Sequence, residues 1–402
     1  MSTAWQLTTS LQEVVLDRGL GGLVDPTSLG NPGYDGSHYE IDLVFEPTVR
    51  LLDATVTFTA TATANLDMIN VDFIGFDISS IALAGHSVEY RRSERDVIIE
   101  LPGARAWFPS NDHPSDKATY TFRLTVPQPL TAVANGVLVK TIEEDERSTW
   151  VWEMGHPMAT YLATVLIGDV ELVDDVGSTA FSGVPIRNVI PNGYEPPEGV
   201  SLDPVMKQGE MIRFYSDLFG PYPFETYGIA LVPDVPGGLE TQSLPIIGIP
   251  FPSLLAHEMA HQWFGNHVSI SDWRDIWLNE GMATYATWLW SEHTGETSVA
   301  EAARIGYELM SEGNLPPGDP PATDVFNQSV YIRGALGIYA LRSEMGDDDF
   351  FAFLGGWIDQ YGGESGSTQD FLDLAQQYSA RDLTELFNAW LYQADMPALP
   401  MN

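Results

Sequence analysis

The chain has 402 residues, 44% of them hydrophobic, and no cysteine; it carries material for two or three packed domains and excludes disulfide scaffolds, thiolate metal sites and cysteine nucleophiles. Eighteen basic residues against 56 acidic ones leave a net charge of −38. Such a surface repels phosphate backbones and anionic lipid, so nucleic acid is not expected as a partner, and the acidity fits either a saline milieu or attraction of cationic substrates.

Residues 1 to about 35 read as an irregular lead-in. The first half then reads as strands. Val56, Phe58, Ala60, Ala62 and Ala64 alternate with threonines, Tyr120, Phe122, Leu124 and Val126 repeat the period of two, and Trp150 and Trp152 frame another run. Turn residues such as Asn135-Gly136 separate them, and an antiparallel, sandwich-like β domain is expected. The pattern changes in the proline-rich stretch from Pro191 to Gly199, which places a domain boundary at 190/191. Asp203-Pro204 signals a helix start running to Phe219 before Gly220, a strand is expected over Tyr227–Val232, and the chain after Ser253 reads as largely helical. The fold class is therefore α+β multidomain, a β domain over 1–190 followed by a mostly helical domain over 191–402. No run of 18 apolar residues occurs, so no integral membrane segment is expected. The residues after Met1 lack the basic flank and apolar run of a signal peptide. With Met1 as native start the protein is expected in the cytoplasm; the alternative is secretion with the leader already removed.

The segment that carries chemistry is His257-Glu258-Met259-Ala260-His261. Pro252 and Ser253 suit a helix start, and Gly265-Asn266 a stop. On a helix, residues four apart lie about 400° apart, so both imidazoles leave one face and can share a divalent metal. Glu258 is turned about 100° away from His257 and can approach a water at the metal without ligating it, the position of a general base. A second helix is expected from Trp273 to about Glu292 with Glu280 in its middle. Its same-face neighbours Ile276, Trp277, Ala283 and Trp288 are mostly apolar, and a buried carboxylate needs a cation. Two histidines and one carboxylate describe an open catalytic zinc site with one Zn2+ per chain.

The His257-Glu258-x-x-His261 motif, followed after 18 residues by Glu280 in Trp277-Leu278-Asn279-Glu280-Gly281, resembles the gluzincin aminopeptidases, the aminopeptidase N and leukotriene hydrolase family. Gly237-Gly238-Leu239-Glu240-Thr241 resembles that family's Gly-x-Met-Glu-Asn strand, and Tyr331-Ile332-Arg333-Gly334-Ala335 its Tyr-Glu-Lys-Gly-Ala segment. Phe108-Pro109-Ser110-Asn111-Asp112 through Lys117-Ala118 matches the β-domain signature, with Ser110 in place of its cysteine. The resemblance implies a thermolysin-like catalytic domain without the family's large C-terminal helical domain. It implies that His257, His261 and Glu280 hold zinc, Glu258 activates water, and Tyr331 hydrogen-bonds the oxyanion. It also implies that Glu240, beside Gly237 and Gly238 where a peptide backbone can approach closely, binds the α-amine of peptide substrates with a free N-terminus. Glu100 falls roughly where the family's β domain contributes a second amine-binding carboxylate. The expected activity is hydrolysis of the N-terminal peptide bond. An open-cleft endopeptidase is one rival, and an inactive binding module on the same fold is another.

Overall fold

The computed structural model describes residues 4–14, 29–49, 51–64, 69–73, 77–87, 107–310 and 315–400. Its first strands, in chain order, are β1 (Ala4–Val14), β2 (Tyr34–Glu46), β3 (Leu51–Ala62), β4 (Asp77–Leu83) and β5 (His86–Ser87). After these come β6 (Lys117–Pro127), β7 (Thr131–Ala134), β8 (Val137–Glu144), β9 (Arg147–Ala159) and β10 (Val165–Gly168). Eight of them join one sheet in the order β5-β4-β1-β3-β2-β6-β9-β8, while β7 pairs with β10. The period-two pattern does what it promises. Ala54, Val56, Phe58 and Ala60 of β3 and Tyr120, Phe122, Leu124 and Val126 of β6 are buried, with the intervening residues turned outward. Tyr39 stacks between Phe58 and Tyr120, with ring centroids 4.5 and 5.1 Å away, a packing that adds to simple burial.

Two expectations need correction here. The supposed irregular lead-in contains β1, an interior strand paired to β3 on one side and β4 on the other; its alternation of Trp5, Leu7 and Leu11 is interrupted by polar residues, which hides the period. The sheet is not purely antiparallel, because β2 and β6 run parallel. Such a pair needs a long crossover, and the chain between them makes one by way of β3, β4 and β5.

A second, five-stranded sheet follows. It contains β11 (Val170–Asp174), β12 (Arg187–Pro191), β13 (Ala230–Leu231), β14 (Gly238–Leu239) and β15 (Ile246–Ile247), in the order β11-β12-β13-β15-β14. The boundary expected at 190/191 falls at the end of β12, so this sheet takes strands from both sides of it. The strand expected over Tyr227–Val232 is confined to β13, with Tyr227 making an isolated bridge to Ile186.

Nine helices occur among the described residues: α1 (Val176–Ser182), α2 (Gln208–Phe219), α3 (Pro252–Ala260), α4 (Trp277–His293), α5 (Val299–Leu309), α6 (Gln328–Met345), α7 (Asp347–Tyr361), α8 (Thr368–Tyr378) and α9 (Thr384–Leu391). The helix expected to begin at Asp203-Pro204 starts instead at Gln208, after a 3₁₀ turn over Val205–Lys207, and ends at Gly220 as the sequence indicates. The helical core collects Trp263, Trp277, Tyr285, Phe350 and Phe353, all buried. Tyr215 of α2 fixes the two central helices relative to each other, its hydroxyl lying 3.2 Å from the Ala256 carbonyl and 3.0 Å from that of Ala286.

Candidate active site

Helix α3 starts with Pro252 at its first turn, where the missing N–H costs nothing. Leu255, Ala256, Met259 and Ala260 are buried, which leaves the face of His257 and His261 turned toward α4. The helix ends sooner than expected, at Ala260, and His261 is its C-cap. Gly265 then turns the chain with φ +119°. Glu280 is also displaced from its expected place: the segment Trp273–Asp275 is a separate 3₁₀ turn, α4 begins at Trp277, and Glu280 lies in its first turn. A carboxylate there is favoured by the helix dipole.

Three ligand atoms converge. The Nε2 atoms of His257 and His261 are 3.1 Å apart, and Glu280 Oε2 is 3.2 Å from the first and 3.4 Å from the second. Tetrahedral positions with bonds of about 2.0–2.1 Å lie about 3.3 Å apart, so the donor set fits a zinc ion. His261 Nδ1 donates to the Phe264 carbonyl at 3.1 Å, which fixes the ring and leaves its Nε2 lone pair for a metal. His261 and Glu280 are almost fully buried. The charge balance makes the same point. Burial works against charge on both groups, yet the neighbouring carboxylates, Glu280 first, raise His261 to about 10, and the two histidines, His261 first, hold Glu280 at about 2. Glu280, Glu240 and Glu258 together give the pocket a negative field that favours a cation.

Glu258 is buried beside these ligands without being one of the three. Burial, reinforced by Glu240 and Glu280 and opposed by His261, pushes its carboxyl well above the usual range. Gly238 makes room for it. A Cβ on Gly238 would stand 2.7 Å from Glu258 Cδ and 2.9 Å from Cγ, so glycine there is a requirement of the position of Glu258. Gly237 holds φ +93° and has nothing around its missing Cβ. Glu240, half-buried just past β14, is raised by burial and by Glu280, with His261 opposing. Its main-chain carbonyl accepts from Asn266 Nδ2 at 2.7 Å.

Tyr331 comes from the first turn of α6. That helix packs against α4 through facing glycines: a Cβ on Gly281 would lie 2.9 Å from the Gly334 carbonyl carbon. Because Gly281 follows Glu280 and Gly334 is three residues past Tyr331, this close crossing brings the phenol to the ligands. The Tyr331 ring lies 6.1 Å from that of His257 at 25°. Burial first, then Glu280, Glu240 and Glu258, push its pKa far up, which keeps it a proton-bearing donor.

The structure thus brings His257, Glu258, His261, Glu280, Glu240, Gly238 and Tyr331 together; Glu100 lies outside the described residues. Sequence reasoning missed Tyr161 and Asn266. Tyr161, just beyond β9, sits edge-on to Trp273 with centroids 5.0 Å apart and accepts from Asn279 Nδ2 at 3.5 Å. Burial raises its pKa, and the charges of Glu240 and Glu280 add to this. Asn266 reads in sequence only as a helix stop.

Residues 251–390 match the peptidase family M1 domain, and residues 98–162 match the peptidase M1 N-terminal domain. Aminopeptidase M1-B of Oryza sativa subsp. japonica is 26% identical over 349 residues, 77% of this chain and 38% of its own. Aminopeptidase B of Mus musculus is 29% identical over 303 residues, 68% of this chain and 44% of its own. The chain therefore spans less than half the length of these curated relatives. Its likeness to a crystal structure of an M1 zinc metallopeptidase from Deinococcus radiodurans is more complete: 30% identity, TM-score 0.81, 93% of this chain and 97% of that one. A mutant of that protein bound to the substrate Tyr-Ser-Ala superposes with the same TM-score at 29% identity. With its metal-ligand geometry, its two matched domains and a relative of its own length, this chain belongs to peptidase family M1.

Proposed function

We propose that the protein is a zinc-dependent aminopeptidase that removes the first residue from peptides with a free N-terminus. The observation that carries this reading is a half-buried carboxylate, Glu240, close enough to His261 and Glu280 to feel their charges. His257, His261 and Glu280 would hold the zinc, which would supply Lewis-acid chemistry for a carbonyl and a water brought to it. Glu258 accepts the proton of that water and hands it to the leaving amine, a task suited to a carboxylate whose pKa burial raises. Tyr331 donates to the oxygen that becomes negative only in the transition state. Glu240 pairs with the substrate ammonium through charge-assisted hydrogen bonds and sets the cut one residue from that end. β14 lies at the edge of its sheet, so an extended peptide can lie alongside Gly237 and Gly238 and pair with it.

The relatives named aminopeptidases and the bound tripeptide in the Deinococcus radiodurans structure support the same reading. Its test compares a tripeptide with its N-acetylated form on wild type and on Glu240→Ala. Wild type should cleave only the free-amine peptide, and the variant should lose activity on it and narrow the gap. Efficient internal cleavage of the acetylated peptide by wild type would overturn the aminopeptidase reading in favour of an endopeptidase.

A further inference from the structure

The position of Glu240 depends on a residue of the other domain. Lys117, the first residue of β6, reaches across about 150 residues of sequence to the turn that follows the metal-binding helix. Its Nζ donates to the carbonyls of Asn266 and His267, both at 2.9 Å. Asn266 is fully buried and is tied in three directions. Its own N–H donates to the carbonyl of the metal ligand His261 at 3.0 Å, its carbonyl takes the lysine, and its side-chain amide donates to the Glu240 carbonyl at 2.7 Å. The far end of the Glu240 segment is held from the β domain as well. Asn135 Nδ2 donates to the Gln242 carbonyl at 2.7 Å, and the Gly136 N–H to Ser243 Oγ at 2.9 Å.

We infer that Lys117 is a positioning residue for substrate recognition: through Asn266 it holds the backbone of Glu240, so the β domain sets where the substrate's amine is bound. The inference rests on the amine-binding reading of Glu240 and adds to it. A cation whose hydrogen bonds go to main-chain carbonyls is a poor choice for stability alone, because burial lowers its pKa to about 7 in spite of the charge of Glu364, and burying a charge costs free energy. What the ammonium offers is more than one N–H at one point, enough to bind two successive carbonyls and so fix the orientation of the peptide between them. With that peptide fixed, the Asn266 side chain has one direction in which to point, toward Glu240. Removing the lysine leaves two carbonyls without a donor and lets the turn relax.

The test is a double-mutant cycle on kcat/KM for a free-amine aminoacyl anilide, read under single-turnover conditions so that slow variants remain measurable, with zinc content checked throughout. Glu240→Ala alone must lower kcat/KM and weaken the preference for free over acetylated amine; if it does neither, the amine-binding reading itself fails. Given that effect, Lys117→Met and, separately, Asn266→Ala should each lower kcat/KM about tenfold in the wild-type background, the scale of one ordinary hydrogen bond. In the Glu240→Ala background the same substitutions should cost little further, because the group they position is gone. Undiminished tenfold losses there would show that both residues act through the fold or the metal site, and would overturn the inference. So would variants that match wild type. Asn266→Ala keeps the lysine and its two carbonyl contacts, and carries the cycle by itself should Lys117→Met fail to fold.

Discussion

Gly238→Ala displaces Glu258, the proposed general base, without touching a single ligand atom. The added Cβ would stand 2.7 Å from Glu258 Cδ and 2.9 Å from Cγ, whereas carbon atoms in ordinary contact are about 3.5–4.0 Å apart. The carboxylate must therefore retreat by about 1 Å. Gly238 does not occupy the left-handed region, so alanine meets no backbone strain, and its lower unfolded-state entropy offsets part of the clash, by about 0.4–1 kcal/mol. The thermal midpoint should stay within a few degrees of wild type. Catalysis should not. A misplacement of about 1 Å can cost about a hundredfold, close to 2.7 kcal/mol in the barrier. The assay is kcat on an aminoacyl anilide, with zinc content and the thermal midpoint measured on the same preparation. A hundredfold fall in kcat with zinc retained is the expected result. Turnover within threefold of wild type would refute the placement of Glu258 against Gly238, and loss of zinc would show that Glu258 belongs to the ligand set.

Tyr331→Phe should lower kcat by about a hundredfold or more, as loss of an oxyanion donor does elsewhere (about 2.7–4 kcal/mol), with little change in KM; a pure KM effect would assign the hydroxyl to ground-state binding. Gly334→Ala should damage both stability and kcat, because a side chain at the Gly281–Gly334 crossing pushes α6, and Tyr331 with it, away from α4; activity and unfolding curves like those of wild type would contradict this. Lys117 gives a dependence on pH. Its folded pKa, lowered by burial to about 7, lies below the ordinary lysine value of 10.5, so between those values the unfolded chain holds the proton that the folded one has released. Stability linked to this group is therefore full above about 10.5 and lost as pH falls through about 7. Relative to Lys117→Met, wild type should gain a few kcal/mol of unfolding free energy between pH 7 and pH 10, at about 1.4 kcal/mol per unit. Urea unfolding of both proteins across that range checks it, and a difference that does not change with pH would contradict the buried position of the ammonium.

The cluster of candidate metal ligands was legible because its geometry is local. The four-residue spacing of His257 and His261 determines a shared helix face whatever surrounds them, and Glu280 announces itself as a carboxylate among apolar neighbours. The strands were legible where threonine alternates with small apolar residues, as in β3, and illegible in β1, whose apolar alternation in the sequence is interrupted by polar residues. Helix boundaries moved for physical reasons: Val205–Lys207 and Trp273–Asp275 form 3₁₀ turns before their helices, which put Glu280 in a first turn rather than mid-helix. What sequence could not show is contact between distant residues. Lys117 meets Asn266 from 149 positions away, Tyr161 meets Asn279 from 118, and the two glycines that let α4 and α6 approach lie 53 apart. None of these pairs has a periodicity. The family resemblance located Tyr331 and Glu240, and only the fold gives the physical reasons for their positions.

The most direct test measures bound zinc and turnover together on wild type, Glu258→Gln and His261→Ala. Wild type should carry one zinc per chain and hydrolyse an aminoacyl anilide. Glu258→Gln should keep the zinc and lose turnover by about 10²–10⁴-fold, the usual contribution of a positioned base, and His261→Ala should lose both. Full turnover by zinc-loaded Glu258→Gln, or by wild type stripped of its metal, would contradict the assignment of these residues.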